Sequence, residues 1–250
     1  MGFTKNEGHL TTGILFPEIL DIMQTNKPVA KELYDKMIKA AVIDRLGKTN
    51  KVINEAVKFQ YEIFNWKKNI TYIDTVDEII GDESMNCDAV EFAKYFVQSG
   101  GRVYMYVLSH RPSNVPVPEW MGVTHGLDIY YVFNNTNFSL TKEELQLSEK
   151  IMSYWANLAK SGHPGLSTWP YYTHEAGDYL NLDITDKMTS AHGLRDQQCY
   201  FWHHYVPKLE SELDEYADGS TGKTAPINVP SITTWCLYFL VTIGYITSNL

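Results

Sequence analysis

One glutamate and one histidine have the side chains that a proton-transfer pair requires. His125 lies in the stretch PEWMGVTHG and precedes Gly126, which permits the unusual backbone angles of a tight loop. Imidazole can accept a proton near neutral pH, because its pKa lies there. Glu7, in the loop TKNEG, could hold such a ring in one tautomer. By residue type alone, a loop glutamate is more often a solvated charge, and most of the eight histidines do no chemistry.

The bulk composition argues against one class of partner. The 250 residues carry a net charge of -9, whereas a nucleic-acid-binding protein needs a basic face. We therefore expect no nucleic-acid partner. The acidic charge would attract a cationic substrate, although many soluble proteins are mildly acidic without such a substrate.

The cysteine count is odd, since the chain contains Cys87, Cys199 and Cys236. In an oxidising compartment the simplest arrangement is one pair with one cysteine left over, and Cys236 lies in an apolar segment of a different kind. Three N-glycosylation sequons are present, at Asn69, Asn134 and Asn137. One sequon is a weak signal, but the last two nearly touch in a polar stretch, which indicates an exposed loop.

The N-terminal end shows no signal peptide, whereas the C-terminal end has the pattern of a membrane-attachment signal. Residues 1–7 lack the basic stretch and apolar run of a signal peptide, so we expect the true start of the protein to lie upstream. Residues 235–246 (WCLYFLVTIGYI) are apolar but shorter than the roughly 20 residues of a spanning helix. Before them lie a polar spacer and the small residues Gly219, Ser220 and Gly222. This pattern is typical of a GPI-attachment signal, and a surface-packed tail or a marginal membrane helix is the alternative.

Helical spacing dominates the remainder of the chain. Apolar periodicity predicts helices over 27–45, 54–66, 74–80, 88–97, 141–160 and 194–213, and strands over 102–108 and 178–182. Thr141 and Glu144 form a capping box at the clearest helix, and Pro28 would lie in the first turn of another. Helices separated by few strands fit part of an α/β fold, although a whole sheet core needs more strands.

Short motifs along the chain follow one another in a family's order. They are TKNEG at 4–8, IGD at 80–82, HRPSN at 110–114, PEWMGVTHG at 118–126, LDI at 127–129, VF at 132–133, IMSYWANLAKSG at 151–162, WP at 169–170, LNL at 180–182 and CYFW at 199–202. Together they resemble the cholinesterase branch of the type-B carboxylesterase family, from about residue 1 to about residue 213.

The resemblance implies a fold and a site. Residues 1–213 would be the C-terminal, helix-rich portion of an α/β-hydrolase domain, followed by a polar spacer over 214–234 and the hydrophobic tail over 235–250. Glu7 would be the orienting acid and His125 the general base of a Ser-Glu-His triad, in the chain order of that fold. We expect a small-molecule ester as substrate, no cofactor and no metal ion.

The nucleophile of such a triad is missing from the sequence. The serine of this fold sits in a G-x-S-x-G elbow, no serine here fits that pattern, and GSTG at 219–222 has the wrong spacing. The glycines of the oxyanion hole, which supply much of the rate, are missing too. We therefore expect that the chain is truncated before the nucleophile elbow and that these 250 residues alone hydrolyse no ester.

Departures from the family pattern bear on the substrate. Choline-selective members carry aromatic residues after the acid loop, where cation–π contact binds a quaternary ammonium. Here the matching stretch, residues 9–14, is HLTTGI, and Leu127 stands where a tyrosine often follows the His-Gly pair. These changes favour a broader, carboxylesterase-like selectivity.

The resemblance also implies a disulfide and a dimer. Cys87 and Cys199 would pair across a loop of about 112 residues, which contributes roughly 4–5 kcal/mol on the loop-entropy description. Two buried thiols are the alternative. In the family the last helix helps to form a homodimer interface, to which four residues could contribute: Leu194, Phe201, Val206 and Leu209. Core packing is the default explanation for those four side chains.

The location and two alternatives follow from these observations. We expect the protein at the cell surface or outside the cell, held to the membrane by a GPI anchor or by the C-terminal tail. A non-catalytic, cholinesterase-like adhesion protein remains possible, with the fold kept and the serine lost. The other alternative is a gene-model or splice product without a function of its own.

Overall fold

The computed structural model describes residues 1–65, 70–134, 139–184 and 188–218. The chain divides into two compact units, Met1–Leu209 and Glu210–Leu250. The second unit is described only as far as residue 218, and that part is helical. Within the described residues no helix combines the length and the apolar character needed to cross a bilayer.

Helices form most of the described structure. The α-helices are α1 (Gly8–Leu15), α2 (Glu18–Gln24), α3 (Lys31–Leu46), α4 (Lys51–Asn65), α5 (Tyr72–Gly81), α6 (Cys87–Gln98), α7 (Asp128–Val132), α8 (Lys142–Ser161), α9 (Asp196–Tyr200) and α10 (Val206–Asp218). Two π-helical turns, Asp82–Asn86 and Phe201–Tyr205, join α5 to α6 and α9 to α10. A 3₁₀ turn, Glu119–Met121, precedes α7.

The described strands form a small mixed sheet. Its strands are β1 (Gly2–Thr4), β2 (Tyr106–Leu108), β3 (Tyr179–Leu182) and β4 (Ser190–Ala191), in that order. β1 pairs with β2 and β2 with β3 in parallel, whereas β4 is antiparallel to β3. Helices with a mostly parallel sheet are consistent with the predicted α/β class.

One cluster of the hydrophobic core lies where α8 packs against the sheet. Leu147 and Ile151 on α8 join Leu108 and Leu180 in one buried cluster, because the apolar stripe of α8 faces the strands. Trp169 completes the cluster and donates its Nε1–H to the carbonyl of Met105 at 2.8 Å. Burying each such aliphatic side chain contributes about 1.5–3 kcal/mol, so this cluster anchors the central strand β2.

The predicted disulfide is present. Cys87, the first residue of α6, is bonded to Cys199 in α9. Both side chains are buried, at 1% exposure each. Beside them Arg195 donates to the fully buried carboxylate of Asp82 from both Nε and Nη2. The disulfide and this ion pair therefore tie the α5–α6 segment to α9.

The helix over 141–160 is confirmed as α8, with its capping box. Thr141 accepts from the Glu144 backbone N–H at 3.2 Å, and Glu144 accepts from that of Thr141 at 2.8 Å. The placement of Pro28 in a first helical turn is wrong. Helix α3 begins only at Lys31, after Ala30 in extended conformation, so the proline belongs to the connection before the helix.

Several other elements differ from the predictions, which did not include α2, α7, β1 or β4. The strand predicted over 102–108 pairs only at Tyr106–Leu108. The last helix is interrupted by a π turn at Phe201–Tyr205 and runs on to residue 218, beyond the predicted end at 213. Helix α1 was not predicted, because GHLTTGIL is rich in glycine and threonine. Helix α1 packs against α5 instead, where its buried Gly8 lies close to the backbone of Asp77.

Candidate active site

Glu7 and His125 lie in direct contact. The Nδ1 of His125 is 2.7 Å from the Oε2 of Glu7, across 118 residues of sequence. Glu7 follows β1, and its other oxygen, Oε1, accepts the backbone N–H of Thr4 at 2.5 Å. With Nδ1–H donated to the carboxylate, the lone pair of a neutral imidazole is at Nε2. The arrangement orients the ring and leaves a basic nitrogen on its far side.

Backbone pairing brings together the acid loop, residues 4–8, and the histidine loop, residues 118–126. Asn6 donates its backbone N–H to the carbonyl of Val123 at 3.0 Å, and its Oδ1 accepts the Val123 N–H at 3.1 Å. Asn6 also forms a parallel β-bridge with Thr124, the residue before His125. Gly122 has φ of 56°, and a Cβ there would lie 2.4 Å from the Asn6 Oδ1. This close approach therefore requires glycine at position 122.

The surroundings of His125 favour its protonated form. Burial lowers the pKa of His125, but the hydrogen bond and charge of Glu7 and the charge of Asp128 raise it by more. The net result is a pKa above the usual value for histidine. The ring is partly accessible, with 22% of its side chain exposed, whereas the Glu7 side chain is 3% exposed. Glu7 thus supplies a buried countercharge to a ring that solvent can reach.

A second carboxylate lies beside the pair. Asp128, at the start of α7, accepts a hydrogen bond of 3.3 Å from the hydroxyl of Tyr106. Burial and then the charge of Glu7 raise the pKa of Asp128, while the charge of His125 lowers it. Burial also raises the pKa of Tyr106, and Asp128 adds to that effect. The charges of Glu7 and Asp128 therefore both raise the pKa of His125.

A third carboxylate supports the acid loop from behind. Asp77 on α5 accepts the backbone N–H of His9 and the Nδ2–H of Asn6, each at 2.8 Å. Burial raises the pKa of Asp77 to about 6, although the charge of His9 and these hydrogen bonds lower it in part. The His9 ring is buried, packs edge-on to Trp120 and has Nδ1 3.2 Å from the carbonyl of Met121.

The comparison with known families agrees with this geometry. The pattern of the carboxylesterase family matches residues 1–202, a stretch that contains both members of the pair. The chain belongs to the carboxylesterase family.

Curated relatives of this carboxylesterase-family chain include enzymes named for choline esters. It is 36% identical to an acetylcholinesterase of Bungarus fasciatus over 66% of this chain and 28% of that enzyme. It is 38% identical to a cholinesterase of Mus musculus over 69% of this chain and 30% of that enzyme. A Gallus gallus acetylcholinesterase is 40% identical over 54% of this chain and 18% of its own length. The chain thus spans less than a third of the length of these relatives.

The residues predicted to shape the substrate pocket lie on α1 and beside His125. His9 and Thr12 turn inwards, Leu10 and Thr11 are half-buried, and Ile14 is exposed. Leu127 is buried at 2% exposure, so it packs in the interior of the described structure. Of the stretch 9–14, Leu10, Thr11 and Ile14 are therefore accessible to solvent.

The remaining predicted positions fall into three groups. Asn134 is half-buried with φ of 44°. Other predicted positions lie outside the described residues: Asn69, Asn137, Gly219, Ser220 and Gly222. The dimer candidates Leu194, Phe201 and Val206 are buried in the chain itself, which agrees with core packing, and Leu209 is half-buried.

Sequence reasoning missed three residues of the site. Asn6 and Asp128 lie inside quoted motifs but received no role, and Asp77 received none either. For Asp77 a signal was available, because an acid among the apolar residues of the helix predicted over 74–80 is rare on a buried face. For Asn6 and Asp128 the sequence gives no such signal, since polar residues are ordinary in loops.

Proposed function

We propose that this chain supplies the acid and the general base of a serine ester hydrolase of the cholinesterase type. The observation that carries the proposal is the 2.7 Å contact between the buried Glu7 carboxylate and Nδ1 of His125. In such an enzyme Nε2 of His125 takes the proton from a serine hydroxyl as the serine attacks the ester carbonyl. Glu7 and Asp128 stabilise the resulting imidazolium, which then gives its proton to the departing alcohol.

The serine is proposed to come from sequence outside these 250 residues. No G-x-S-x-G elbow occurs in them, and the pair has no hydroxyl to activate without it. We expect the 250-residue chain to leave acetylthiocholine and naphthyl acetate unhydrolysed. Turnover of either ester by the purified chain, abolished by His125→Gln, would contradict this expectation.

A chimaeric enzyme tests the proposed pair. Residues 1–202 would replace the matched segment of the Mus musculus cholinesterase, which brings its own upstream sequence. We expect hydrolysis of a carboxylic ester, reduced by about 10⁶-fold in His125→Gln, because the base and the serine act as one unit. The matched control is His192→Gln, which removes another carboxylate-bound ring. Hydrolysis that survives His125→Gln unchanged would rule out the proposed role.

The substrate class is proposed to be broader than choline esters. Relatives named acetylcholinesterase and cholinesterase support an ester of choline, whereas Leu10 and Thr11 offer no aromatic face to a quaternary ammonium. In the chimaera, kcat/KM for acetylthiocholine should fall relative to naphthyl acetate when compared with the parent enzyme. An unchanged ratio would favour strict choline esters.

An extracellular location is proposed on the basis of the disulfide. Structural disulfides persist in oxidising compartments, and Cys87–Cys199 is such a bond. Attachment to a membrane through the C-terminal tail or a GPI anchor stays a prediction, as does a homodimer. If a dimer forms at the last helices, exposed Tyr200 and Tyr205 are better placed for it than the buried candidates. Size-exclusion chromatography with light scattering would measure the oligomeric state.

A further inference from the structure

Two polar residues hold the acid loop and the histidine loop in one unit. Asp77 accepts at Oδ1 from the backbone of His9 and at Oδ2 from the side chain of Asn6. These two partners flank Glu7 on either side. Asn6 in turn holds Val123, two residues before His125. A single path of hydrogen bonds therefore runs from α5, past Glu7, to the histidine loop.

The direction of each hydrogen bond in this path is fixed at both ends. The backbone N–H of Val123 can only donate, so the facing atom of Asn6 is Oδ1, and Nδ2 points at Asp77. The backbone N–H of His9 also only donates, so Asp77 must accept there. Both carboxylate oxygens are acceptors, and an amide at position 77 would place an N–H₂ group opposite that of Asn6.

The buried polar groups of this path need hydrogen-bond partners, because water does not reach them. Asp77 is 4% exposed, and Val123 is 5% exposed. A buried donor left without an acceptor is unfavourable, so we expect the loops to move rather than tolerate the mismatch. A displacement of about 1 Å is enough to lower catalysis by roughly 10²-fold. The Glu7–His125 contact depends on the same two loops.

We propose that Asn6 and Asp77 are positioning residues that set the contact between Glu7 and His125. This inference rests on the proposed function, since it assigns a task in that acid–base pair. Asn6 and Asp77 act through the loops that carry Glu7 and His125, and not by contact with the reacting atoms. A residue with a merely structural role would change the stability and leave the imidazole titration as it is.

The test is an NMR titration of the His125 ring in the full 250-residue chain, with the signal assigned by its loss in His125→Gln. Glu7→Gln should lower the His125 pKa, which verifies the pair itself. Asp77→Asn should lower it by roughly 0.5–1 pH unit, because the loops separate. Adding Asn6→Asp to Asp77→Asn exchanges donor and acceptor along the path, so it should restore the His125 pKa. Asp178→Asn, at another histidine–carboxylate pair, should leave it unchanged.

The outcomes separate the two proposals. If Glu7→Gln leaves the His125 pKa unchanged, the proposed function fails. If Glu7→Gln lowers it but Asp77→Asn does not, or if the double variant folds without restoring it, the positioning role is refuted and the proposed function stands. Should Asp77→Asn not fold, Asn6→Ala removes the same link, and an unchanged His125 pKa in that variant would also refute the role.

Discussion

Two histidine–carboxylate pairs in this chain have the same hydrogen-bond distance but differ in how exposed their side chains are. In Glu7–His125 and in Asp178–His192, the ring Nδ1 lies 2.7 Å from a carboxylate oxygen. The side chains of the first pair are 3% and 22% exposed, and those of the second are 10% and 70% exposed. Distance alone therefore does not mark a site. Burial matters because charges interact more strongly where water is excluded.

The two pairs also differ in how the chain holds them. Asp178 and His192 are 14 residues apart and flank the short antiparallel pairing of β3 with β4. Glu7 and His125 are 118 residues apart and are held by β1, by the Asn6 bridge and by Asp77. Residues that are as close in the sequence as Asp178 and His192 can meet with little help from the rest of the fold. The Glu7–His125 contact requires a folded core, because its two residues lie far apart in the sequence.

The largest expected difference between the two pairs is in catalysis. In the chimaera, Glu7→Gln should lower kcat by about 10³–10⁴-fold, because the ring loses the group that fixes its tautomer and stabilises the imidazolium. Asp178→Asn should leave kcat within about twofold, since its histidine faces solvent. Ester hydrolysis at saturating substrate measures both. Comparable losses in the two variants would show that burial does not distinguish the pairs.

The next largest expected effect is a loss of stability at a buried carboxylate that lies outside the site. Asp82 is fully buried and accepts from Arg195, from Tyr61 at 2.8 Å and from Asn86 at 2.9 Å. Asp82→Ala should lower the free energy of unfolding by about 3–5 kcal/mol, because it leaves a buried charge unpaired. Urea unfolding measures this loss, and the His125 titration should stay as it is. A change in both would mean that the ion pair and the site are one unit.

A smaller effect follows from the raised pKa of His125. A histidine whose folded pKa exceeds its unfolded value of about 6.5 adds stability below that value, and this stability is lost as the pH rises through the folded pKa. His125→Gln should therefore destabilise the chain more near pH 5.5 than near pH 8.5, by about 1.4 kcal/mol for each tenfold gain in proton affinity on folding. Urea unfolding at the two pH values checks the sign. The opposite sign would mean that burial outweighs Glu7.

The smallest effect concerns salt. The coupling energy between Asp178 and His192 should be below about 1 kcal/mol and should vanish in roughly 1 M salt, because exposed charges are screened. The coupling between Glu7 and His125 should persist. Double-mutant cycles by urea unfolding, at low and high salt, measure both energies. Equal salt dependence would place the two pairs in the same electrostatic environment.

Features that depend on neighbours along the chain could be predicted from the sequence. The capping box of Thr141 and Glu144 joins residues three positions apart, so local pattern identified α8. Motifs around Glu7, His125, Cys87 and Cys199 indicated the proposed acid and base and the disulfide partners, and the family followed from the same motifs. These features are written in short stretches of residues.

How the distant stretches meet could not be predicted in this way, because it depends on the folded chain. The contact between Glu7 and His125, and the support of Asn6 by Asp77 from 71 residues away, join side chains that no periodicity links. The same holds for α1, whose weak helical sequence is stabilised by packing on α5. Local patterns fix which face of an element is buried. Which partner that face finds depends on the packing and buried hydrogen bonds of the whole fold.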